Sequence, residues 1–173
     1  MASIKLQGDT SGELTISAPA VAGTNTLTLP ASTGTLMVTG PAFSAVKSGN
    51  QTVTANTTTK VTFQTKEFDT NTNFDNTTNY RFTPTVAGYY QVSGSFQQGG
   101  SGEVLIILYK NGSAFKNGNW LSSTVVYAPI FSTLVYFNGS TDYIEMYAYT
   151  GATGTTIFAG NSCYFQASMV RSV

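Results

Sequence analysis

The chain has 173 residues, eight of them basic and eight acidic, with no histidine and a formal net charge of zero. With only 9 % charged residues it carries no electrostatic footprint for nucleic acid or an anionic membrane surface, and neither partner is expected. The lack of histidine removes the common catalytic triads and the commonest general base. The hydrophobic share of 41 % suffices for one domain core plus an extension. Thr, Val, Tyr and Phe favour strands, Asn and Gly favour turns, and no run has helical periodicity, so the fold class is all-β. A single cysteine, Cys163, can form no internal disulfide and, within the alternating run SCYFQASMV, reads as a buried inert thiol.

Residues 1–40 differ from the rest. Their larger apolar residues come in pairs at strand spacing, Leu14 with Ile16, Leu27 with Leu29 and Leu36 with Val38, interrupted by Pro19, Gly23, Pro30 and Gly34. No aromatic residue occurs among them, and so few large side chains cannot build a separate core. A flexible tail is one reading. The other, which we expect, is an extended arm that orders by pairing with a partner and reaches at most roughly 130 Å. The start, MASIKLQGDTSGEL, lacks the apolar core of a secretory signal, and no segment has the apolar length of a transmembrane helix.

Residues 41–173 read as one β domain. Expected strands are VTFQTKEF (61–68), GYYQVSGSF (88–96), EVLIILY (103–109), STVVY (123–127), FSTLVYF (131–137), DYIEMYAY (142–149) and SCYFQASMV (162–170). The Asn111-Gly112 and Asn138-Gly139 pairs each predict a hairpin. Many short strands at this spacing indicate a sandwich or jelly roll. VLIIL and YAPIFSTLVYF are apolar on both faces, which predicts a second apolar surface packed against another subunit. Tyr89, Tyr127, Tyr136, Tyr147 and Tyr149 are expected in the core or at that interface.

The segment FDTNTNFDNTTNYRF (68–82) opens like a calcium loop, with Asp69, Asn71 and Asn73 at alternate positions. The sixth position then holds Phe74 where the turn needs glycine, and the twelfth holds Tyr80 where a bidentate Glu belongs. No metal or cofactor is expected; the polar side chains are expected to satisfy the turn backbone.

The aromatic spacing around this loop runs Phe63, five residues, Asp69, four residues, Phe74, seven residues, Phe82, five residues, Gly88, one residue, Tyr90. This pattern resembles the globular heads of complement and collagen-like proteins, in the tumour-necrosis-factor superfamily. LYKNGSAF, DYIEMYAY and CYFQASMV resemble that family's central hairpin, penultimate strand and final strand. The departures are one extra residue before Phe82, Val92 and Gly94 in place of aromatics, and Thr141 and Ala167 in place of glycines. Over residues 42–173 the resemblance implies a jelly-roll β-sandwich of about ten strands, assembled as a homotrimer, with Phe63, Phe74, Phe82, Gly88, Tyr90 and Phe165 as its structural core.

The first segment resembles something else. GELTISAPAVAGTNTLTLPASTGTLMVTG is similar to Thr-Leu-Pro-Ala-rich segments near the ends of bacteriophage tail and virion structural proteins. Together the two resemblances imply a virion-anchoring arm (1–40) carrying a knob (41–173). The function expected is non-enzymatic: a trimeric capsid decoration or cement protein, made in the host bacterial cytoplasm and displayed on the virion surface. The arm residues Leu14, Ile16, Leu27, Leu29, Leu36 and Val38 would contact capsid or tail proteins.

The alternative is a short tail fibre or receptor-binding tip that contacts host surface glycans, with Trp120 in KNGNWLSS as the best sugar contact; the plainer reading makes Trp120 a packing residue at a strand end. A third reading, a small glycosidase, would need a carboxylate pair such as Asp69 with Asp75 or Asp142 with Glu145, all of which read more simply as turn and surface acids.

Overall fold

The computed structural model describes residues 3–7, 9–17, 20, 21, 23, 24, 40–100, 102–123, 126–151 and 155–173, with backbone only at Ser3, Ser123, Tyr127 and Thr155. The chain divides into two compact units, Met1–Gly34 and Thr35–Val173. In the first, β1 (Ser3–Gln7) and β2 (Glu13–Ser17) form an antiparallel hairpin.

The second unit contains β3 (Ala42–Lys47), β4 (Gln51–Val53), β5 (Thr57–Lys60), β6 (Thr65–Asp69), β7 (Phe74–Asp75), β8 (Arg81–Phe82), β9 (Gly88–Ser95), β10 (Gln98–Gly99) and β11 (Gly102–Lys110). It continues with β12 (Ser113–Ser123), β13 (Val126–Tyr127), β14 (Ile130–Phe137), β15 (Ile144–Thr150), β16 (Thr155–Ile157) and β17 (Gly160–Ser172). No helix occurs among the described residues.

One sheet has the order β14-β9-β17-β3-β6 and the other the order β12-β11-β15-β8-β7, with β5 also paired to β15. Every pairing in them is antiparallel, as a Greek-key sandwich requires. A small sheet, β13-β10-β16-β4, completes the unit. Along each main strand alternate side chains enter the space between the two sheets. From β9 these are Tyr90 and Val92, from β11 Val104, Ile106 and Leu108, from β15 Ile144, Met146 and Ala148, and from β17 Phe165 and Ala167, all buried. Phe63, Phe74, Phe82, Tyr90 and Phe165 are buried in this one core, and Gly88 opens β9 opposite Phe137 and Ser172.

Three expectations need correction, and one strand was not anticipated. Residues 61–64 are not strand, although Val61 and Phe63 are fully buried. After a last backbone bond from Val61 N–H to Met146 O at 2.9 Å, side chains replace the ladder: Thr62 N–H donates to Gln51 Oε1 at 3.1 Å, and Lys47 Nζ donates to Thr62 O at 2.9 Å. Asn138-Gly139 makes no hairpin. The strands it joins, β14 and β15, lie in different sheets, and the Asn138 side chain accepts N–H bonds from Ser140, Thr141 and Asp142 while the chain crosses over.

β11 is apolar on both faces for a reason other than a subunit contact. Its outward Leu105 and Ile107, only 8 % and 7 % exposed within the single chain, pair in register with Tyr149 and Tyr147 of that chain. Last, the polar stretch 113–123 is a long strand. The Asn111-Gly112 turn, with φ of +52° and +79°, has the left-handed pair that a type I′ hairpin needs, and it forces KNGNW to return along β11.

Candidate functional site

The outward face of the five-stranded sheet is set by alternation along β9, β14 and β17. Tyr89, Gln91 and Ser93 point away from the core, as do Ile130, Ser132, Leu134 and Tyr136. Tyr89 and Tyr136 are directly opposite in register, with ring centroids 5.5 Å apart. The polar groups between them are tied down within the sheet: Gln91 Nε2 donates to Ser132 Oγ at 2.8 Å, and Gln166 Nε2 to Ser93 Oγ at 3.0 Å. None of these side chains is charged. On the β6 side of the same face a hollow of about 250 Å³ lies between Phe68, Gln91, Gln166 and Ser168.

The outward face of the six-stranded sheet is aromatic and ionic. Tyr109 and Tyr147 stack at 3.9 Å, and Arg81 lies 4.4 Å over the Tyr143 ring. Lys60 Nζ meets the buried Glu145 carboxylate at 2.6 Å. Trp120 on β12 is 58 % exposed, with the Tyr149 ring edge-on at 6.5 Å. It lies within the strand and not at its end.

The carboxylates have structural work. Asp69 accepts N–H bonds from Asn73 and Phe74 and pairs with Lys66 at 3.1 Å. Asp75 accepts the N–H groups of Thr77, Thr78 and Asn79, and those bonds, led by Thr78, hold its carboxyl far below the usual range. Burial alone would raise the Asp142 carboxyl, but bonds from Asn111, Lys110 and Asn138 outweigh it and keep the group ionised below its ordinary pKa. Glu145 is held by Lys60. Thus Asp69 and Asp75 serve the turn backbone, while Asp142 and Glu145 hold loops and strands. No group of three or more His, Cys, Asp or Glu side chains suited to a metal ion occurs among the described residues.

Cys163 is buried, accepts the Gln97 N–H at 2.9 Å and donates to Phe158 O at 2.9 Å; burial pushes its thiol pKa up, against nucleophilic use. Lys47 is buried nearby with its ammonium on Gln51 Oε1, Thr62 O and Thr62 Oγ1. Desolvation lowers its pKa to about 8.

The comparisons with solved structures agree on architecture. The globular domain of a zebrafish complement 1qA protein superposes with a TM-score of 0.56 at 18 % identity, covering 77 % of this chain and 99 % of that one. Murine APRIL matches with a TM-score of 0.61 at 8 % identity, covering 76 % and 100 %. An Eiger protein of the tumour-necrosis-factor type from S. frugiperda gives 0.57 at 9 % identity, covering 78 % and 93 %. The second unit has the complement-head and tumour-necrosis-factor jelly-roll fold. No family profile and no curated relative matches the chain.

Beside this jelly-roll knob, the first unit has its own surface. In the β1–β2 register Ile4 faces Ile16 and Leu6 faces Leu14, so all four lie on one side of the hairpin, and all are exposed. Lys5 and Glu13 pair at 2.8 Å on the other side. Leu14 and Ile16 therefore belong to an uncovered apolar patch. Leu27, Leu29, Leu36 and Val38 lie outside the described residues. Ile4 and Leu6 were not singled out from sequence; the alternation SIKLQ before the GDTSG turn carries the signal. Ile130 and Leu134 were also missed as individuals, because an apolar run does not say which face meets the core.

Proposed function

We propose that this chain is a non-enzymatic structural protein of a bacteriophage particle, a homotrimeric knob fastened to the particle by residues 1–40. The observation that carries the trimer is the outward face of the five-stranded sheet. Leu134 is 53 % exposed there, beside exposed Ile130, Tyr136 and Tyr89, with charge only towards the tyrosine end, where Arg171 pairs with Tyr89 and Lys110 lies 5.8 Å over the Tyr136 ring. Contiguous apolar surface of this kind is normally covered by a partner. A closed ring of three needs a projecting patch and a receiving patch on the same subunit. The β14 side chains project, and the hollow beside Phe68 receives. The tumour-necrosis-factor resemblance supports the same stoichiometry.

The Thr-Leu-Pro-Ala-rich first segment supports a virion as the larger assembly, and a compact knob on an arm suits a capsid decoration or cement protein. Three arms on one trimer make the attachment multivalent, so modest contacts sum to stable binding. The exposed Trp120 favours a second reading, a tail-tip knob that contacts host surface glycans.

Native mass spectrometry tests the assembly. The wild type is expected as a trimer and Leu134→Asp as a folded monomer; a wild type that stays monomeric at micromolar concentration removes the trimer. Immunogold microscopy of purified particles tests the place. Label over the head supports the cement role, and label at the tail end supports the second reading. Deleting residues 1–40 is expected to leave a trimer that no longer joins particles; normal incorporation moves the anchor elsewhere.

A further inference from the structure

We propose that Trp120, with Tyr149 and Asn56, forms a binding site for a pyranose ring of a neutral oligosaccharide on the outward face of the six-stranded sheet. The inference rests on reading the knob as a glycan-binding module and identifies where that binding takes place.

The argument starts from register. Asn117 pairs with Ile107, an outward position, so an unbroken ladder would put Gly118 opposite Ile106, Asn119 opposite Leu105 and Trp120 opposite the core residue Val104. The ladder is not unbroken. One extra residue on β12 shifts the pairing, so that Trp120 stands opposite Leu105 and Leu121 opposite Val104. A one-residue shift moves every later side chain to the other face. The bulge thus turns the indole out of the sandwich and sends Leu121 against the core instead.

Two contacts lock the bulge. A side chain at Gly118 would overlap Ile106 Cγ2 and the Ile130 carbonyl, so the strand lies too close to the core for any Cβ. Asn119 Oδ1, turned toward the other sheet, accepts the Ile130 N–H at 2.6 Å.

The surroundings of the indole fit a sugar. Leu105 pairs with Trp120 on one side and Tyr149 on the other, so the two rings flank an apolar floor and meet edge to face. This leaves an aromatic face for the C–H side of a pyranose. Hydrogen-bonding groups stand at its rim. The indole N–H donates to no described residue, and the Tyr149 hydroxyl reaches Asn56 Oδ1 only at 3.4 Å. Exposed Ser122 and Glu103, paired in register, border the other end. Glu103 is the charged residue of this rim, which disfavours an anionic sugar.

Size argues against a protein partner. A stable protein interface takes about 800 Å² from each side around an apolar centre, whereas Trp120 and Phe115 are the large exposed hydrophobics of this sheet among the described residues.

Trp120 is the one tryptophan of the chain, so indole emission, excited beyond the tyrosine absorption band, reports on this site alone. The purified full-length protein is titrated with maltotetraose, cellotetraose and the tetramer of N-acetylglucosamine, with sialyllactose as an anionic control. The expected result is a saturable change with at least one neutral tetrasaccharide, weakened at least tenfold by Tyr149→Ala. Calorimetry is expected to show the same loss in Trp120→Ala, with the trimer unchanged.

No saturable change with any neutral tetrasaccharide overturns the proposal, as does full affinity in Tyr149→Ala or Trp120→Ala. A monomer produced by Trp120→Ala also overturns it, by making the indole an assembly contact. These failures leave the trimer and the virion reading standing. Conversely, a knob that binds sugar but is absent from particles retires the virion reading and not the site.

Discussion

Phe43 and Phe74 lie face to face, their ring centroids 4.5 Å apart and their planes within 7°. Phe43 comes from β3 of the five-stranded sheet and Phe74 from β7 of the six-stranded one, so this stack joins the two layers. Phe82 lies 4.5 Å from the same Phe43 ring, and Phe165 meets it edge-on at 5.2 Å. Phe43→Ala empties the centre of this cluster. It is expected to destabilise the knob by about 3–5 kcal/mol, measured by urea unfolding, whereas Phe115→Ala on the exposed strand β12 should cost far less. Equal losses would deny Phe43 its central place.

Asp75 predicts an acid limb. Its folded pKa is depressed by the Thr78, Thr77 and Asn79 bonds, so the native state releases a proton that the unfolded state keeps as pH falls. The stability it supplies is present above the ordinary carboxylate pKa and is lost on acidification below about pH 4. Asp75→Asn is expected to lower stability at neutral pH and to flatten this limb. Unfolding midpoints from neutral pH down to pH 3 check it; an unchanged limb would place the titration elsewhere.

Lys47 predicts the opposite end. Its folded pKa is lowered from 10.5 to about 8 by burial, so above about pH 8 the native state has lost a proton that the unfolded state retains. Stability therefore rises with pH from about 8 until the unfolded lysine also titrates. Raised pKa values at Cys163, Tyr90 and Tyr147 act in the other direction at higher pH, which confines the clean window to about pH 8–9. The rise should appear in the wild type and be absent from Lys47→Met, as read by urea midpoints at each pH.

Asn111 joins two loops. Its Oδ1 accepts the Tyr143 N–H at 2.9 Å, and its Nδ2 donates to Asp142 Oδ1 at 2.8 Å. Asn111→Ala loses both bonds and forces a Cβ-bearing residue without a local bond to hold φ of +52°. A loss of about 2 kcal/mol is expected, together with faster amide exchange at Tyr143. Unchanged exchange would mean that the crossover is held by other contacts.

The strands that were easy to read share a property. GYYQVSGSF, FSTLVYF and SCYFQASMV alternate cleanly, and β9, β14 and β17 follow within a few residues. β12 was hard to read because it lies at the edge of its sheet and faces solvent along most of its length, so the polar run KNGN satisfies it as well as apolar residues would. The stretch 61–64 failed for the converse reason. Its alternation is real and Val61 and Phe63 are buried, but strand also requires a continuous backbone partner, and at Thr62 the Gln51 and Lys47 side chains take that place.

By itself the sequence determined the all-β class and the Asn111-Gly112 hairpin, because each depends on local periodicity or on one residue's backbone freedom, while the aromatic core followed from the family resemblance in its spacing. The neutral charge and the lack of histidine likewise follow from composition alone. Only the tertiary structure decided which face of each strand meets the core and that the Asn138-Gly139 turn crosses between sheets. It also decided the direction of Trp120. The inversion of that side chain depends on one extra residue in the β12 ladder, and register is a property of two strands together, which no single strand's pattern contains.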